Sequence, residues 1–368
     1  MVKTKGMPII GVPIGDPNGI GPEIATNATL GLLDRDYAPL LIGDLWLVEK
    51  ALQICQVPSK APVNVVTVPQ DKDIEMDSGK INVLHVSAMD SANLAPGTAA
   101  ADSGSASLDY TRAGVELALS GRIDGIACAP SNKEGMKLAG SKFSGQTEFI
   151  SSLTGVREVS TVLVSDKFRV FQLTGHVSLR RACDLITQER VLHGIRRARV
   201  ALEDFGIDDP LIAVCGLNPH SGDGGLLGRE EQEHIIPAIN KARAEGIRVD
   251  GPLPGDTVFL RIQAEHHDGI LAMYHDQANT VLKFISEPVS VSIGLPIVRT
   301  TVGHGTAYDI AWKGVANPAC MTAAIKVAAE LAQARKNTAA KWLSMIRSII
   351  ECIRPRRNTV CCFPSQVM

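Results

Sequence analysis

The chain has 368 residues, 45% of them apolar, with 37 Lys and Arg against 39 Asp and Glu for a formal charge of −2. Length and apolar content supply material for two packed cores, and the well-mixed charge excludes the basic footprint of a nucleic-acid binder and favours small-molecule chemistry. No stretch of 18 apolar residues and no export signal core is present, so a cytoplasmic protein with no membrane partner is expected.

Taken in chain order, short runs rich in Ile and Val precede Gly- or Pro-marked turns: MPIIGVPIGDP (7–17), APLLIGD (38–44), INVLHVS (81–87), IDGIACAP (123–130), STVLVS (160–165), LIAVCGLNP (211–219) and GILAMYHDQ (269–277). Such runs predict strands buried on both faces. Helical spacing between them predicts helices over 21–33, opened by Pro22 and Glu23, and over 106–120, 188–205, 229–245 and 318–335. The alternation predicts an α/β fold with a largely parallel sheet and ligands at strand ends. The polar, Gly/Ser/Lys-rich segment 130–150 marks one domain crossover, and 285–300 a second. Three units follow: 1–135 with 300–335, then 136–299, and a C-terminal extension over 336–368. In the extension Trp342, Met345, Ile346, Ile349, Ile350 and Ile353 share a helical face before RPRRN breaks the pattern. That helix serves either packing and oligomerisation or a membrane surface, and the last residues are expected to fray.

The cysteines at 55, 128, 183, 215, 320, 352, 361 and 362 lie mostly in apolar surroundings and read as reduced thiols. GDPNGIGPEI places Gly15, Gly19 and Gly21 between a strand and a helix, without the dinucleotide fingerprint spacing; it is either a turn lining a cleft near Asp16 or a structural turn. His176, His220 and His275 each lie on a Gly- or Pro-marked turn, in TGHVSL, GLNPHSGDGG and MYHDQ. Three converging imidazoles make a divalent-metal site, for which zinc or another divalent ion is suitable. Asp256 in PLPGDT and Asp276 beside His275 are candidates to support the metal ligands or relay a proton, or else turn and cap residues. In the run from Val289 to Pro318, Gly294, Gly303 and Gly305 permit close backbone approach, His304 sits between two of them, Arg299 offers a fork for phosphate or carboxylate, and Asp309 can bond ribose hydroxyls. Lys283 adds a point charge for a phosphate.

In order along the chain, GDPNGIGPEI, SGQTEFISSLTG, GHVSL, GLNPHSGDGGLLGREE, DGPLPGDTVF, YHDQANTVLKF and GLPIVRTTVGHGTAYDIAWKG resemble the 4-hydroxythreonine-4-phosphate dehydrogenase family of pyridoxine biosynthesis and its paralogues, over about residues 7–335. The resemblance implies a two-domain isocitrate/isopropylmalate dehydrogenase-like fold with the active site in the interdomain cleft, in a homodimer with shared active sites. It implies His176, His220 and His275 as ligands of one divalent metal (Zn, Mg or Co), and Gln146, Thr147, Lys283, Ser290 and Arg299 as substrate-binding positions. The HGTAYDIAWKG segment falls on the region for NAD or NADP, and Gly294, Gly303, His304, Gly305 and Asp309 are the candidate cofactor-binding residues. The implied reaction oxidises the secondary hydroxyl of a phosphorylated four-carbon hydroxy acid, foremost 4-hydroxythreonine 4-phosphate to 2-amino-3-oxo-4-(phosphooxy)butanoate, which decarboxylates. D-threonate or D-erythronate 4-phosphate, or an aromatic-acid dihydrodiol, is the alternative substrate; a metal-dependent binding protein without turnover is a third reading. Four departures bear on the choice: Gln146 replaces the family's usual His, Ser290 its Asn, Ala278 the Gly after His-Asp-Gln, and Gly303 the Asp before HGTA. Losing an imidazole and an amide changes which substrate polar groups a buried site satisfies.

Overall fold

A computed structural model describes residues 7–33, 35–54, 63–66, 74, 76–77, 79–165, 168–286 and 288–353, apart from the side chains of 63, 65 and 338–353. Its strands are β1 (Ile9–Pro13), β2 (Ala38–Gly43), β3 (Val63–Val65), β4 (Ile81–His85), β5 (Gly125–Cys128), β6 (Ser160–Val164), β7 (Arg169–Gln172), β8 (Ile212–Cys215), β9 (Val249–Leu253), β10 (Gly269–Ala272), β11 (Val289–Ile293) and β12 (Arg299–Val302). They form one sheet in the order β3-β4-β2-β1-β5-β12-β11-β6-β7-β10-β8-β9. The helices are α1 (Gly21–Leu30), α2 (Leu45–Ile54), α3 (Ala101–Leu119), α4 (Lys133–Leu138), α5 (Gln146–Thr154), α6 (Leu179–Asp184), α7 (Gln188–Asp204), α8 (Ile236–Ala244), α9 (Val258–Glu265), α10 (His275–Ile285) and α11 (Ala319–Ile353). The molecule is mixed α/β around a large central sheet, and each of the seven apolar runs supplies a strand.

Two parallel wings, β3-β4-β2-β1-β5-β12 and β7-β10-β8-β9, are joined through antiparallel ladders at β12/β11, β11/β6 and β6/β7. The chain passes between the wings twice, between β5 and β6 and between β11 and β12. The largest apolar cluster runs through both wings, from Ile10, Ile42 and Ile126 to Val191, Val214 and Ile239. A smaller one, including Val170, Ala213, Ile270 and Leu282, lies within the second wing.

Helix α7 illustrates the local logic. Thr187 caps it by accepting the Arg190 N–H (3.3 Å), and Val191, Leu192, Ile195, Ala198, Ala201 and Leu202 form its buried face while the arginines and glutamates stay outward. Full burial of each large aliphatic side chain contributes about 1.5–3 kcal/mol. Helix α1 ends at Leu30, three residues before the predicted 33, and α7 one residue before 205; three others differ more from their predicted spans. Helix α3 starts five residues before 106, because Ala100 is the extended residue that opens it. The segment 229–245 begins as a π-helical turn, Glu231–Ile235, before α8. Helix α11 continues past 335 without a break, so the extension begins as the continuation of that helix and not as a separate one. Its side chains from 338 and residues 354–368, and with them the predicted apolar face and frayed end, lie outside the described residues. No helix among the described residues is long and apolar enough to cross a membrane. Cys128, Cys183 and Cys215 are free thiols, and burial pushes Cys215 up to about 12, leaving it without thiolate reactivity.

Candidate active site

Strands β7, β10 and β8 are parallel neighbours, and the turns leaving their carboxyl ends carry His176, His275 and His220 respectively. Those turns are tied together. The Thr174 hydroxyl donates to the Met273 carbonyl (2.8 Å), the Met273 N–H donates to Gln277 Oε1 (2.7 Å), and Gln277 Nε2 donates to the Gly216 carbonyl (2.9 Å). The His176 and His275 rings consequently lie 5.3 Å apart between centroids. Asp276 Oδ1 is 2.8 Å from His275 Nδ1, and Asp223 Oδ2 is 3.0 Å from His220 Nδ1. A carboxylate at Nδ1 fixes the ring and leaves the Nε2 lone pair for a cation, the arrangement found around metal-binding imidazoles. The Asp223 hydrogen bond, then its charge, and more weakly that of Asp256, hold the His220 imidazole above its ordinary pKa.

His220 lies on an unusual stretch of backbone. His220, Ser221, Gly222, Asp223 and Gly224 all have positive φ, from 42° to 84°. Three of them carry a Cβ, for which the left-handed conformation costs about 1–2 kcal/mol per residue. Within one chain the three histidines do not close into a single tight group. Among the described residues the one set of three potential ligands with donor atoms within 4.8 Å of one another is Asp250, Glu265 and His267. There Arg261 lies 3.7 Å from Asp250 and 2.8 Å from Glu265, so the acidic charge is already met by a guanidinium.

A cleft of about 820 Å³ begins at His176 and His275 and includes Asn279, Lys283, Ser290, Thr147, Arg299 and Gly303. His275, Asn279 and Lys283 stand at successive i, i+4 positions of α10, one above another. Strand register places the rest: Arg299 lies beside Ile126, and Ser290 beside both Thr301 and Leu163. Arg299 is 4% exposed, so its charge is almost fully withdrawn from water. It donates to Gln146 Oε1 (2.8 Å), Ser292 Oγ (2.9 Å) and Thr147 Oγ1 (3.3 Å), all neutral acceptors, and its Nε has no partner. A buried guanidinium with no carboxylate among the described residues calls for an anion from outside.

Gln146 makes its own contacts within the protein. Its oxygen receives Arg299, and its amide donates to Ser131 Oγ (3.0 Å) and Thr111 Oγ1 (3.3 Å). With both amide hydrogens engaged, it sets the Arg299 fork. The cleft is also lined by Arg157, Glu158, Arg190, His193 and Arg197. Sequence reasoning missed these residues, although Arg190, His193 and Arg197 stand at i, i+3, i+7 on α7. Gly294 belongs here too: a Cβ on it would meet the Glu158 carbonyl and approach Arg197.

After β12 the chain enters the loop holding Gly303, His304, Gly305 and Asp309. A Cβ at Gly303 would stand 2.6 Å from the Pro288 carbonyl, which explains the glycine there, while Gly305 has open space around it. This loop rests on the N-terminal glycine turn. Tyr308 donates to Asp16 (2.7 Å), Trp312 Nε1 to the Pro17 carbonyl (2.7 Å), and the Trp312 and Gly314 N–H groups to the two oxygens of Glu23 (2.6 and 2.8 Å). The GDPNGIGPEI segment therefore supports this second loop through buried carboxylates.

A family model described as pyridoxal phosphate biosynthetic protein PdxA matches residues 35–328. A 4-hydroxythreonine-4-phosphate dehydrogenase of Desulforapulum autotrophicum is 41% identical over 334 residues, covering 89% of this chain and 96% of the relative. A protein of Clostridium botulinum provisionally named D-threonate 4-phosphate dehydrogenase is 39% identical over 333 residues, covering 90% and 98%. Among solved structures, the 4-hydroxythreonine-4-phosphate dehydrogenase of Klebsiella pneumoniae superposes with a TM-score of 0.80 at 35% identity, covering 89% of this chain and 99% of the other. The chain is a dehydrogenase of the PdxA family, acting on a CH–OH group.

Proposed function

We propose that the protein oxidises the secondary hydroxyl of a four-carbon hydroxy acid 4-phosphate, using one divalent cation and NAD or NADP, and that 4-hydroxythreonine 4-phosphate on the route to pyridoxal phosphate is the first substrate to test. The observation that carries this reading is the buried Arg299 fork with neutral protein acceptors, in the same cleft as the paired His176 and His275. The donor set fits a cation such as zinc, magnesium or cobalt, since Asp276 and Asp223 leave Nε2 of His275 and His220 available. The open backbone at Gly305, with His304 and Asp309, fits a dinucleotide at the end of the cleft. When bound, these groups supply Lewis acidity at the reacting hydroxyl and an acceptor for hydride.

Lys283 and Arg299 bind the anionic ends and orient the carbon to be oxidised, with Thr147 and Ser290 beside them. Gln146 holds the Arg299 plane. Asp276 keeps the His275 proton on Nδ1, and Asp256 adds negative charge near His220. The two wings act as domains, 1–135 with 300–335 and 136–299, in a homodimer whose subunits complete each other's sites. Dimerisation is supported by exposed apolar side chains beside site residues: Val177 and Leu179 near His176, Leu226 and Leu227 near His220, Phe284 and Ile285 near Lys283.

A second reading, D-threonate 4-phosphate as substrate, is favoured by the charge of the cleft. Arg157, Arg190, Arg197, Lys283 and Arg299 line it, and the sole carboxylate among its described lining residues, Glu158, already lies 3.7 Å from Arg197. A substrate ammonium has no free carboxylate to meet there; a hydroxyl needs none. The test supplies purified protein with divalent cation and NAD or NADP, and follows reduced-cofactor absorbance with both phosphorylated acids and with dihydrodiols. Turnover of either phosphorylated acid, lost in His220→Ala together with bound metal, is the expected result; reduction with a dihydrodiol alone would overturn it.

A further inference from the structure

We infer that Glu231 is the positioning residue for the His220 imidazole, holding the left-handed turn in the one conformation that presents His220 to the cation. This rests on the proposed cation site. Glu231 is 2% exposed. Its Oε1 accepts the Leu217 and Asn218 N–H groups (both 2.8 Å), and its Oε2 accepts Asn218 Nδ2 (2.9 Å). No Lys, Arg or His pairs with it among the described residues. A buried carboxylate satisfied by three N–H donors of a single short segment fixes that segment strongly, because charge-assisted bonds are about twice as strong as neutral ones.

The segment it fixes leads directly into His220 and Asp223, where positive φ persists over six residues, His220 to Gly225. Backbone of that kind persists only when its surroundings over-determine it. The same carboxylate meets the turn from its other side: a Cβ on Gly222 would come within 2.7 Å of Oε2, so Glu231 fills the hollow of the turn. Ser221 Oγ adds one further anchor at the Pro252 carbonyl (3.2 Å). Glu231 also opens the π-helical turn Glu231–Ile235 that precedes α8. π-turns of this kind recur next to functional sites.

The test uses the full chain with cobalt(II), whose visible absorption reports the coordination sphere independently of turnover, in the wild type, Glu231→Gln, His220→Ala and the double variant. Glutamine keeps the shape but turns one acceptor into a donor facing Asn218 Nδ2. Glu231→Gln is expected to weaken cobalt binding about 10- to 100-fold and to alter the spectrum. At cobalt concentrations high enough to load His220→Ala, the double variant is expected to bind no more weakly than His220→Ala alone, since Glu231 acts through that ring. Unchanged affinity in a folded Glu231→Gln protein, or losses that add in the double variant, would overturn the inference. Wild-type cobalt affinity in His220→Ala would remove the cation role of His220, and this inference with it. If Glu231→Gln does not fold, Asn218→Ala, which removes one of the three bonds, carries the same comparison.

Discussion

Asp16 is fully buried, with one oxygen accepting the Asn18 N–H (2.9 Å) and the other the Tyr308 hydroxyl (2.7 Å). Burial outweighs these hydrogen bonds and raises its carboxyl above the ordinary 3.8. A carboxyl whose pKa is higher folded than unfolded contributes stability that is complete below the unfolded value and is lost as pH rises through the folded one. Asp16→Asn lacks that loss. The urea midpoint of the variant relative to wild type is therefore expected to improve from pH 4 to pH 7; a difference independent of pH would contradict it. At this scale the sequence singled out Arg299, Lys283 and the three histidines as candidates, and the structure brings His176, His275, Lys283 and Arg299 to one cleft. It did not reveal what Gln146 faces. A side chain's partners depend on strands and helices that meet only in three dimensions, here Arg299 on β12 and Ser131 after β5.

Helix α3 crosses α4 backbone to backbone: a Cβ built on Gly104 would collide with the Gly135 carbonyl, and Asn132 caps α4 by accepting the Gly135 N–H (2.8 Å). Gly104→Ala must push α4 away, and overpacking of this kind costs about 1–3 kcal/mol. The measurement is the urea midpoint, where an unchanged value would show that the crossing yields freely. Elements with uniform apolar runs were legible in the sequence, because strands buried on both faces carry no polar interruption. Strands β11 and β12 were not, since VSVSIGLPIVRTTV alternates apolar with Ser and Thr and contains glycine and proline, which read as a ligand loop. Both strands lie at the antiparallel junction, where Ser292, Arg299 and Thr300 are buried and find hydrogen-bond partners within the fold.

For the molecule as a whole, Phe284 is 89% and Leu226 87% exposed, on the elements that carry Lys283 and His220. Apolar side chains that open to water beside a functional site mark an interaction surface. Phe284→Asp is expected to break the proposed dimer, leaving monomer in sedimentation, and to lower turnover at least tenfold, about 1.4 kcal/mol in the barrier. A fully active monomer would overturn site sharing. The α/β class followed from the alternation of runs, whereas the reversal of strand direction between the wings did not, because pairing direction is a property of neighbours far apart in the chain.

The helix that begins at His275 reaches Lys283 eight residues later on the same face. At about 1.5 Å of rise per residue, the two anchor points are set about 12 Å apart along the axis. With the roles proposed for its two ends, helix α10 acts as a measuring rod: a substrate is expected to place its alcohol at one graduation and its anion at the other. Compounds one carbon shorter are then expected to engage one mark and leave the other in water.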